Sequence, residues 1–498
     1  MFPRWVSGPR PRAIRPGLVT ILTAASAALL ALSAGSGAQA ATTTGGTWGK
    51  ATLLPGIAAL NSGAAELTHL SCGSPGNCAA AGYYTYGSQH QQAFVASQVD
   101  GQWQAAEPVP GISALGHGGR SFEPDYLYAV SCTRSGYCVA VGDYLQKGVG
   151  DEAFLVSAVN GAWGKAEEVP GTADLNQGGD AYLSAVSCSA AGNCSAGGGY
   201  TDAGDYGQAF VVSERDGIWQ DAQQVPGVTA GPFDGTDPEI DSISCSSAGN
   251  CGTNGDIDSP EMAFVVSEQH GRWHQARLVP GLAGLNTGGF AEIDGVSCAS
   301  AGSCGVGGFY WHHGAKDASY YHAFVASEAG GTWGRAAEVS GFAAFHGRNA
   351  IISSLSCGSP GNCSAVGNSG YTTQYNQGFV VTEQDGVWGA AQLAPGLPRM
   401  PAGKGNVQFN GISCGAPGDC SAAGSYDTPG RPSHAFVIGQ AGGTWGAAEQ
   451  VPGTALLAGA GGSSGGALSC ASAGHCSAAG MIYPEGSNQD EIFVVSET

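Results

Sequence analysis

Positive charge is scarce in this chain of 498 residues: 18 lysines and arginines stand against 39 acidic residues, a formal net charge of −21. Such a surface repels a phosphate backbone, so nucleic-acid binding is not expected. The motifs that announce common enzymes are missing as well. There is no nucleophile elbow, phosphate loop, dinucleotide fingerprint or His-Glu-x-x-His helix. Long apolar runs are scarce too. One extends from Leu18 to about Leu32, and no second run of membrane length follows, so no membrane span is expected in the remainder.

That single run reads as part of an export signal. Arg4, Arg10, Arg12 and Arg15 form a basic leader, and small residues then lead to Ala38-Gln39-Ala40, an A-x-A cleavage pattern. The apolar core is short for a membrane anchor, which is the competing reading. Residues 1–40 are expected to be a signal peptide and 41–498 a single secreted, extracellular domain. Loss of the four arginines would leave the remainder still more acidic. That charge reads as a solubility device, or as an attraction for cations and basic partners.

What the chain does contain is a repeat. In its third copy the unit runs through Val186-Ser187-Cys188, Ala191-Gly192-Asn193-Cys194, a Gly-rich segment to Tyr200, Ala209-Phe210-Val211-Val212-Ser213, Asp216-Gly217-Ile218-Trp219 and Val225-Pro226-Gly227. It occurs eight times, 53 to 60 residues apart. The 16 cysteines fall into eight pairs: Cys72/Cys78, Cys132/Cys138, Cys188/Cys194, Cys245/Cys251, Cys298/Cys304, Cys357/Cys363, Cys414/Cys420 and Cys470/Cys476. A serine precedes the first cysteine of every pair.

Each unit reads as four short antiparallel strands, a to d. Strand a enters the first cysteine, a tight turn returns b, the Phe-Val-Val segment is c, and an Asp-Gly or Gly-Gly turn leads to d at the tryptophan. Four strands per repeat predict a propeller blade. The two ends complement each other. A lone strand d surrounds Trp48, and the chain stops at Phe493-Val494-Val495, a strand c without its d. The prediction is an all-β, eight-bladed β-propeller of four-stranded antiparallel blades, closed when the N-terminal strand completes the last blade. A β-solenoid, the alternative, has no use for such ends and leaves open sheet edges.

The repeat resembles secreted bacterial β-propeller proteins with "VSC…GNC.A.G" units, common in actinobacteria, over residues 46 to 498. Ser213-Glu214-Arg215-Asp216-Gly217-Ile218-Trp219 also looks like the Asp-box turn of sialidase-like propellers, one residue out of register and without the Asp in several copies. The resemblance implies a fold and a structural turn. The arginine cluster that a sialidase uses for its substrate carboxylate is not evident, because the arginines fall at unrelated positions of the repeat.

Cysteines flanking a five-residue hairpin turn face each other across strands, at the spacing a disulfide needs. An exported chain with uniform pairs is expected to oxidise them. Zinc is set aside, since no His or Cys accompanies the C-x5-C pairs at ligand spacing.

Spacing also points to a functional face. The a–b and c–d turns have constant lengths and share one face. The d–a and b–c connections vary, with 24 to 29 residues from Trp to the next first cysteine and 13 to 20 from the second cysteine to the strand c Phe. Binding residues are expected on that variable face. Two features mark it. Glu239, Asp241, Glu292 and Asp294 fall six and four residues before the first cysteine of blades four and five, at the mouth of the central channel. They are the candidate catalytic carboxylates if the protein is an enzyme. Asp234, Asp237, Asp256 and Asp258 lie in the same sector as candidate Ca²⁺ ligands, the one cofactor considered. The plain alternative is solvated acidic loop residues. The second feature is aromatic. Tyr84, Tyr144, Tyr200, Tyr310 and Tyr426 recur six residues after the second cysteine and read as packing positions. Trp311, His312, His313, Tyr320, Tyr321 and His322 have no counterpart in other blades and are the expected ligand-binding residues, with Tyr83, Tyr86, Tyr371 and Tyr375 as further loop aromatics.

The expected function is an extracellular binding module, a monomer, for a glycan or a protein. A carbohydrate-active hydrolase or lyase using the channel-mouth carboxylates is the alternative, and a scaffold without a discrete site is the third reading.

Overall fold

The computed structural model describes residues 46–87, 90–115, 125–228, 237–257, 262–313, 319–345, 349–370, 376–397, 405–428, 430–487 and 489–498. The expected signal peptide lies outside them, as do Asp234, Asp258, Tyr371 and Tyr375. No helix among the described residues is long and apolar enough to cross a membrane.

Eight antiparallel sheets form the blades of a β-propeller. Blade one shows the plan: Ala65–Ser74 is strand a, Asn77–Tyr86 is b, His90–Val99 is c, and d is interrupted, with Gln102–Trp103 and Glu107–Pro108 both pairing with c. The last blade comprises Gly462–Ser472, His475–Tyr483 and Glu491–Ser496. Its fourth strand is Thr52–Leu53, with Thr52 opposite Val494 and Leu53 opposite Phe493, and a further bridge joins Trp48 to Glu497. The two ends of the chain therefore complete one sheet, as their sequence phase predicts.

The serine before each first cysteine has a task that only the ring reveals. Its Oγ accepts the backbone N–H of the first cysteine in the next blade, from Ser71 to Cys132 at 2.9 Å through Ser413 to Cys470 at 3.0 Å. Ser469 closes the circle on Cys72 at 2.9 Å.

Each cysteine pairs within its own blade as a disulfide: Cys72–Cys78, Cys132–Cys138, Cys188–Cys194, Cys245–Cys251, Cys298–Cys304, Cys357–Cys363, Cys414–Cys420 and Cys470–Cys476. No cysteine is free. The Cα separations are 3.9 to 4.1 Å, shorter than a regular ladder, beside an irregularity in register in seven of the hairpins. Loops this short give a chain-entropy contribution of roughly 2–2.5 kcal/mol each.

Within each pair the two cysteines are unequally buried: Cys78, Cys138, Cys194, Cys251, Cys304, Cys363, Cys420 and Cys476 are buried, whereas their partners are half-buried. Cys78, Cys138, Cys251, Cys420 and Cys476 are members of the hydrophobic clusters of their blades, as are Cys194 and Cys304. These second cysteines are core residues, not part of an accessible site. The reason is their strand: b lies between a and c, so its side chains are covered by the adjoining blade, while the first cysteine sits near the end of the inner edge strand.

Every strand a carries a β-bulge shortly before its cysteine, for instance between Leu67 and His69 or Ile240 and Ser242. Opposite it, strand b has glycine in all eight blades. A Cβ on Gly142 would stand 1.8 Å from the carbonyl oxygen of Tyr126, and one on Gly255 would stand 2.0 Å from that of Glu239. The glycine of the repeat is thus required by the bulge. The strand c phenylalanines, Phe94 to Phe493, are fully buried, and Tyr144 and Tyr200 meet theirs edge to face. The turns from c to d place residues such as Asp100 and Gly101 both at positive φ, the conformation of a tight hairpin turn.

Four residues beyond the phenylalanine, in every blade but the second, which has Ala158 there, stands an unexpected belt of buried polar side chains: Gln98, Glu214, Glu268, Glu328, Glu383, Gln440 and Glu497. They reach into the preceding blade. Ser327 Oγ donates to Glu383 at 2.6 Å, Ser267 to Glu328 at 3.3 Å, and Ser364 to the Gln440 oxygen at 3.0 Å. Four motif tryptophans, Trp163, Trp273, Trp388 and Trp445, join the same belt, as Trp388 Nε1–H donates to Ser327 Oγ at 3.0 Å.

Burial pushes the carboxyls of Glu214, Glu268, Glu328, Glu383 and Glu497 above their ordinary value. A group raised on folding stabilises fully below its unfolded pKa, about 4.3 for Glu, and loses that contribution as pH climbs through the folded value. Thermal melts are expected to give a midpoint at pH 5 above that at pH 8 by roughly 3 °C or more. A Glu328→Gln/Glu383→Gln variant, carrying the amide native to blades one and seven, should flatten this dependence. A midpoint that rises towards pH 8 would refute the assignment.

Candidate functional site

The bulge that shapes each inner strand also aims its side chain. In blades one, three and seven the bulged residue donates to a backbone carbonyl of the next blade: Thr68 Oγ1 to Leu127 at 2.7 Å, Ser184 Oγ to Ile240, and Asn410 Nδ2 to Gly465 at 2.6 Å. Asp241 and Asp294 occupy this position in blades four and five, where an ionised carboxylate has no proton to donate. Blade four compensates through Asn254, fully buried on strand b. Its Nδ2 donates to Ile293 O at 2.8 Å and to Asp241 Oδ2 at 3.3 Å, and its Oδ1 accepts from Ser242. In blade five Asp294 Oδ2 is enclosed without a hydrogen-bond partner among the described residues.

Glu239, Asp241 and Asp256 bring carboxylate oxygens within 4.8 Å of one another. Glu239 starts strand a and Asp256 ends strand b, directly opposite in the ladder, so antiparallel pairing itself brings them together. The Tyr182 hydroxyl of blade three donates to Glu239. Burial raises the Asp241 carboxyl well above the carboxylate range, and the charges of Asp256, Glu239, Glu292 and Asp294 add to it. Burial and Glu239 raise Glu292; burial and Glu292 raise Asp294.

These groups face a cavity of about 750 Å³ spanning blades three to five, lined also by Tyr182, Tyr200, Gln208 and Phe290. No lysine, arginine or histidine is among the described residues that line it. Of the expected catalytic residues, Glu239, Asp241 and Glu292 line the cavity, and Asp294 does not. Of the candidate Ca²⁺ ligands, Asp256 joins the trio. Asp237 also lines the cavity, with Oδ1 accepting Gly207 N–H at 2.8 Å. Asp234 and Asp258 lie outside the described residues.

The expected aromatic platform is not a loop. Ser303–His313 and Ser319–Ala329 form a long regular hairpin in which Trp311 faces Tyr321 and His312 faces Tyr320. Its side chains pack in two groups, one per face. Trp311 lies 5.6 Å from His313 and 6.3 Å from Tyr321, and Tyr321 lies 5.0 Å from Phe309. On the other face Tyr310 stacks on His322 at 5.4 Å, His312 meets His322 at 5.6 Å, and Glu338 accepts from Tyr310 and pairs with His322. The recurring tyrosines are packing residues as expected: Tyr84, Tyr144, Tyr200 and Tyr310 are buried, and Tyr426 is half-buried.

Phe290, which sequence reasoning missed, joins the two features. It stacks on Phe309 at 5.5 Å, meets Tyr321 at 5.9 Å, and lines the acidic cavity. Its signal was positional: eight residues before the first cysteine, blades three and four have Asp180 and Asp237 at that place. Asn254 and Tyr182 were missed too. Asn254 stands where other blades carry aliphatic residues or glycine, such as Val141 and Gly197.

No family model matches the sequence, and no curated protein matches it. Among solved structures, the chain is similar to polysaccharide lyase Uly1 (11% identity, TM-score 0.42, 89% of this chain and 90% of that one). It is similar to the β-propeller domain of the Trilobed protease from Pyrococcus furiosus (7%, 0.41, 79% and 96%) and to NanB sialidase from Streptococcus pneumoniae (10%, 0.32, 92% and 69%). At such distances the fold assignment rests on the strand ladders and the function on the site.

Asp294→Asn places at the bulge of blade five the amide donor that blade seven has in Asn410. It should raise the midpoint of thermal unfolding at pH 8 by roughly 1–2 °C, since it removes a poorly paired buried acid. Asn254→Ala strips the donor from Asp241 and Ile293 and should lower the midpoint at the same pH. A lowered midpoint for Asp294→Asn, or an unchanged or raised one for Asn254→Ala, would overturn the bulge assignment.

Proposed function

We propose that this protein is an exported binding module that takes a neutral glycan in the cavity of blades three to five. The observation that carries this reading is the convergence of Glu239, Asp241 and Asp256 in a concave site with an aromatic wall. Sugar hydroxyls donate to carboxylates in short charge-assisted bonds, and the apolar face of a pyranose packs on an aromatic ring such as Phe290. A volume of about 750 Å³ lies within the range of small-ligand sites. The net charge of −21 and the lack of basic residues among the described lining disfavour uronic, sialic or sulfated sugars. Eight disulfides suit an oxidising, extracellular setting. Trp311, His313 and Tyr321 extend the aromatic wall away from the cavity and would contact a longer chain.

A second reading, hydrolysis, is favoured by one feature. Burial and neighbouring charge push the Asp241 carboxyl upward beside other carboxylates, the pairing that glycoside cleavage needs. The same oxygens suit Ca²⁺ as hard ligands.

A panel of neutral and anionic polysaccharides, assayed by affinity electrophoresis with and without chelator, separates these readings. Retardation by a neutral polymer is expected, with at least a roughly tenfold loss in Glu239→Gln and Phe290→Ala. Trp311→Ala should weaken only long chains. Release of reducing ends would transfer the site to the hydrolase reading. Retardation by anionic polymers alone, or binding indifferent to Glu239→Gln, would refute the proposal.

A further inference from the structure

The buried belt of glutamates is completed differently from cleft to cleft. Between blades three and four, Arg215 follows the belt residue Glu214 on strand c and crosses to the next blade. Its Nη2 lies 3.6 Å from Glu268 Oε1, and it donates to the carbonyl of Gly271. At the same position Gln269 and Gln384 lie over Gly331 and Gly443, the turn glycines of the blades that follow. Blade five has Ala329 there. Beyond it, a Cβ built on Gly386 would meet nothing within 4 Å, and a cavity of about 660 Å³ opens between blades five and six.

Glu383 lines this cavity with 1% of its surface exposed. Its Oε1 accepts from Ser327, and its Oε2 is buried with no hydrogen-bond partner among the described residues. Glu328, whose Oε2 is likewise buried with no hydrogen-bond partner among the described residues, Asp385 and Trp388 line the same space, as does Arg335, whose guanidinium lies over Gly281. The cleft therefore offers two unsatisfied carboxylate oxygens, a third acid and an indole, around the place that a guanidinium fills two blades earlier.

We propose that the cleft between blades five and six, on the disulfide-bearing face, is a guanidinium site that receives an arginine side chain from a basic protein partner. Arginine fits because its planar fork can pair with Glu383 and Asp385 while its face lies on an indole. The strongly acidic surface favours the encounter. The internal counterpart, Arg215 on Glu268, supplies the precedent within the same chain. This site lies on the opposite face from the glycan cavity and does not depend on that reading.

The probe is N-acetyl-arginine amide, a monocation, titrated into the protein at pH 7.5 and followed by calorimetry and by ligand NMR, with the norleucine analogue as the neutral control. Saturable binding of one equivalent is expected, with the neutral analogue silent. Glu383→Gln carries the side chain native to blades one and seven, so it should fold, and it should weaken binding at least roughly tenfold. Ala329→Arg should block the site from within, as Arg215 does in its own cleft, and abolish binding. Arg215→Ala should open a second cleft and raise the stoichiometry towards two. Titration without saturation, or binding that survives both Glu383→Gln and Ala329→Arg, overturns the proposal.

Discussion

One hydrogen bond, made eight times, holds the ring: the N–H of each first cysteine donates to the serine hydroxyl of the blade before it. Inner strands of a propeller lie side by side without a ladder between them, so backbone groups facing the neighbouring blade need partners from side chains. Serine is small enough to sit at that crowded contact and carries both a donor and an acceptor. Each bond contributes about 1 kcal/mol net. Its larger effect is registration, because it sets the height of every blade relative to the next. The bulges, the disulfides and the buried belt then recur at the same level around the ring.

That registration explains why one polar position can be solved in several ways. In blades one, three and seven the bulged residue of strand a, Thr68, Ser184 or Asn410, donates to a carbonyl of the next blade. Asp241 and Asp294 do not, and they stand in adjacent blades beside a cavity. A fold that could place serine at both positions, and has carboxylates instead, has retained two buried acids at a cost in stability. Such departures from the local rule concentrate where a protein meets its ligand.

The fold was legible in the sequence because its determinants are local. A fixed five-residue turn between cysteines, a constant distance from Phe to Trp, and complementary strand phases at the two ends can all be read along one chain. The carboxylates Glu239, Asp241 and Glu292 were legible for the same reason, since they sit at a constant offset from a cysteine. The pairing of Cys78 with Cys72 was legible in the same way, but the burial of Cys78 was not, because the neighbouring blade supplies it. Phe290, Asn254 and the glutamate belt were hidden for that reason too. Glu383 reads as a solvent-facing residue at the end of a strand, and only the hydroxyl of Ser327 in the neighbouring blade, 56 positions earlier, reveals its burial. The aromatic hairpin of blade five was misread as a loop because its extra length looked like an insertion, whereas both added segments stay in register as strands.

The belt and the channel mouth pose the same electrostatic problem on opposite faces. A carboxylate withdrawn from water needs a proton, a donor or a cation. Ser327, Asn254 and Tyr182 supply donors, Arg215 supplies a cation, and protons cover part of the remainder. Some buried acids, such as Glu152 and Glu214, keep an unpaired oxygen without lining either cavity, but Glu383 and the acids around Asp241 border open volume. A collapsed core would have filled that space with aliphatic side chains, as Val141 does in blade two where blade four has Asn254. The open volume and the incompletely paired acid occur together at two separate places, and packing alone accounts for neither.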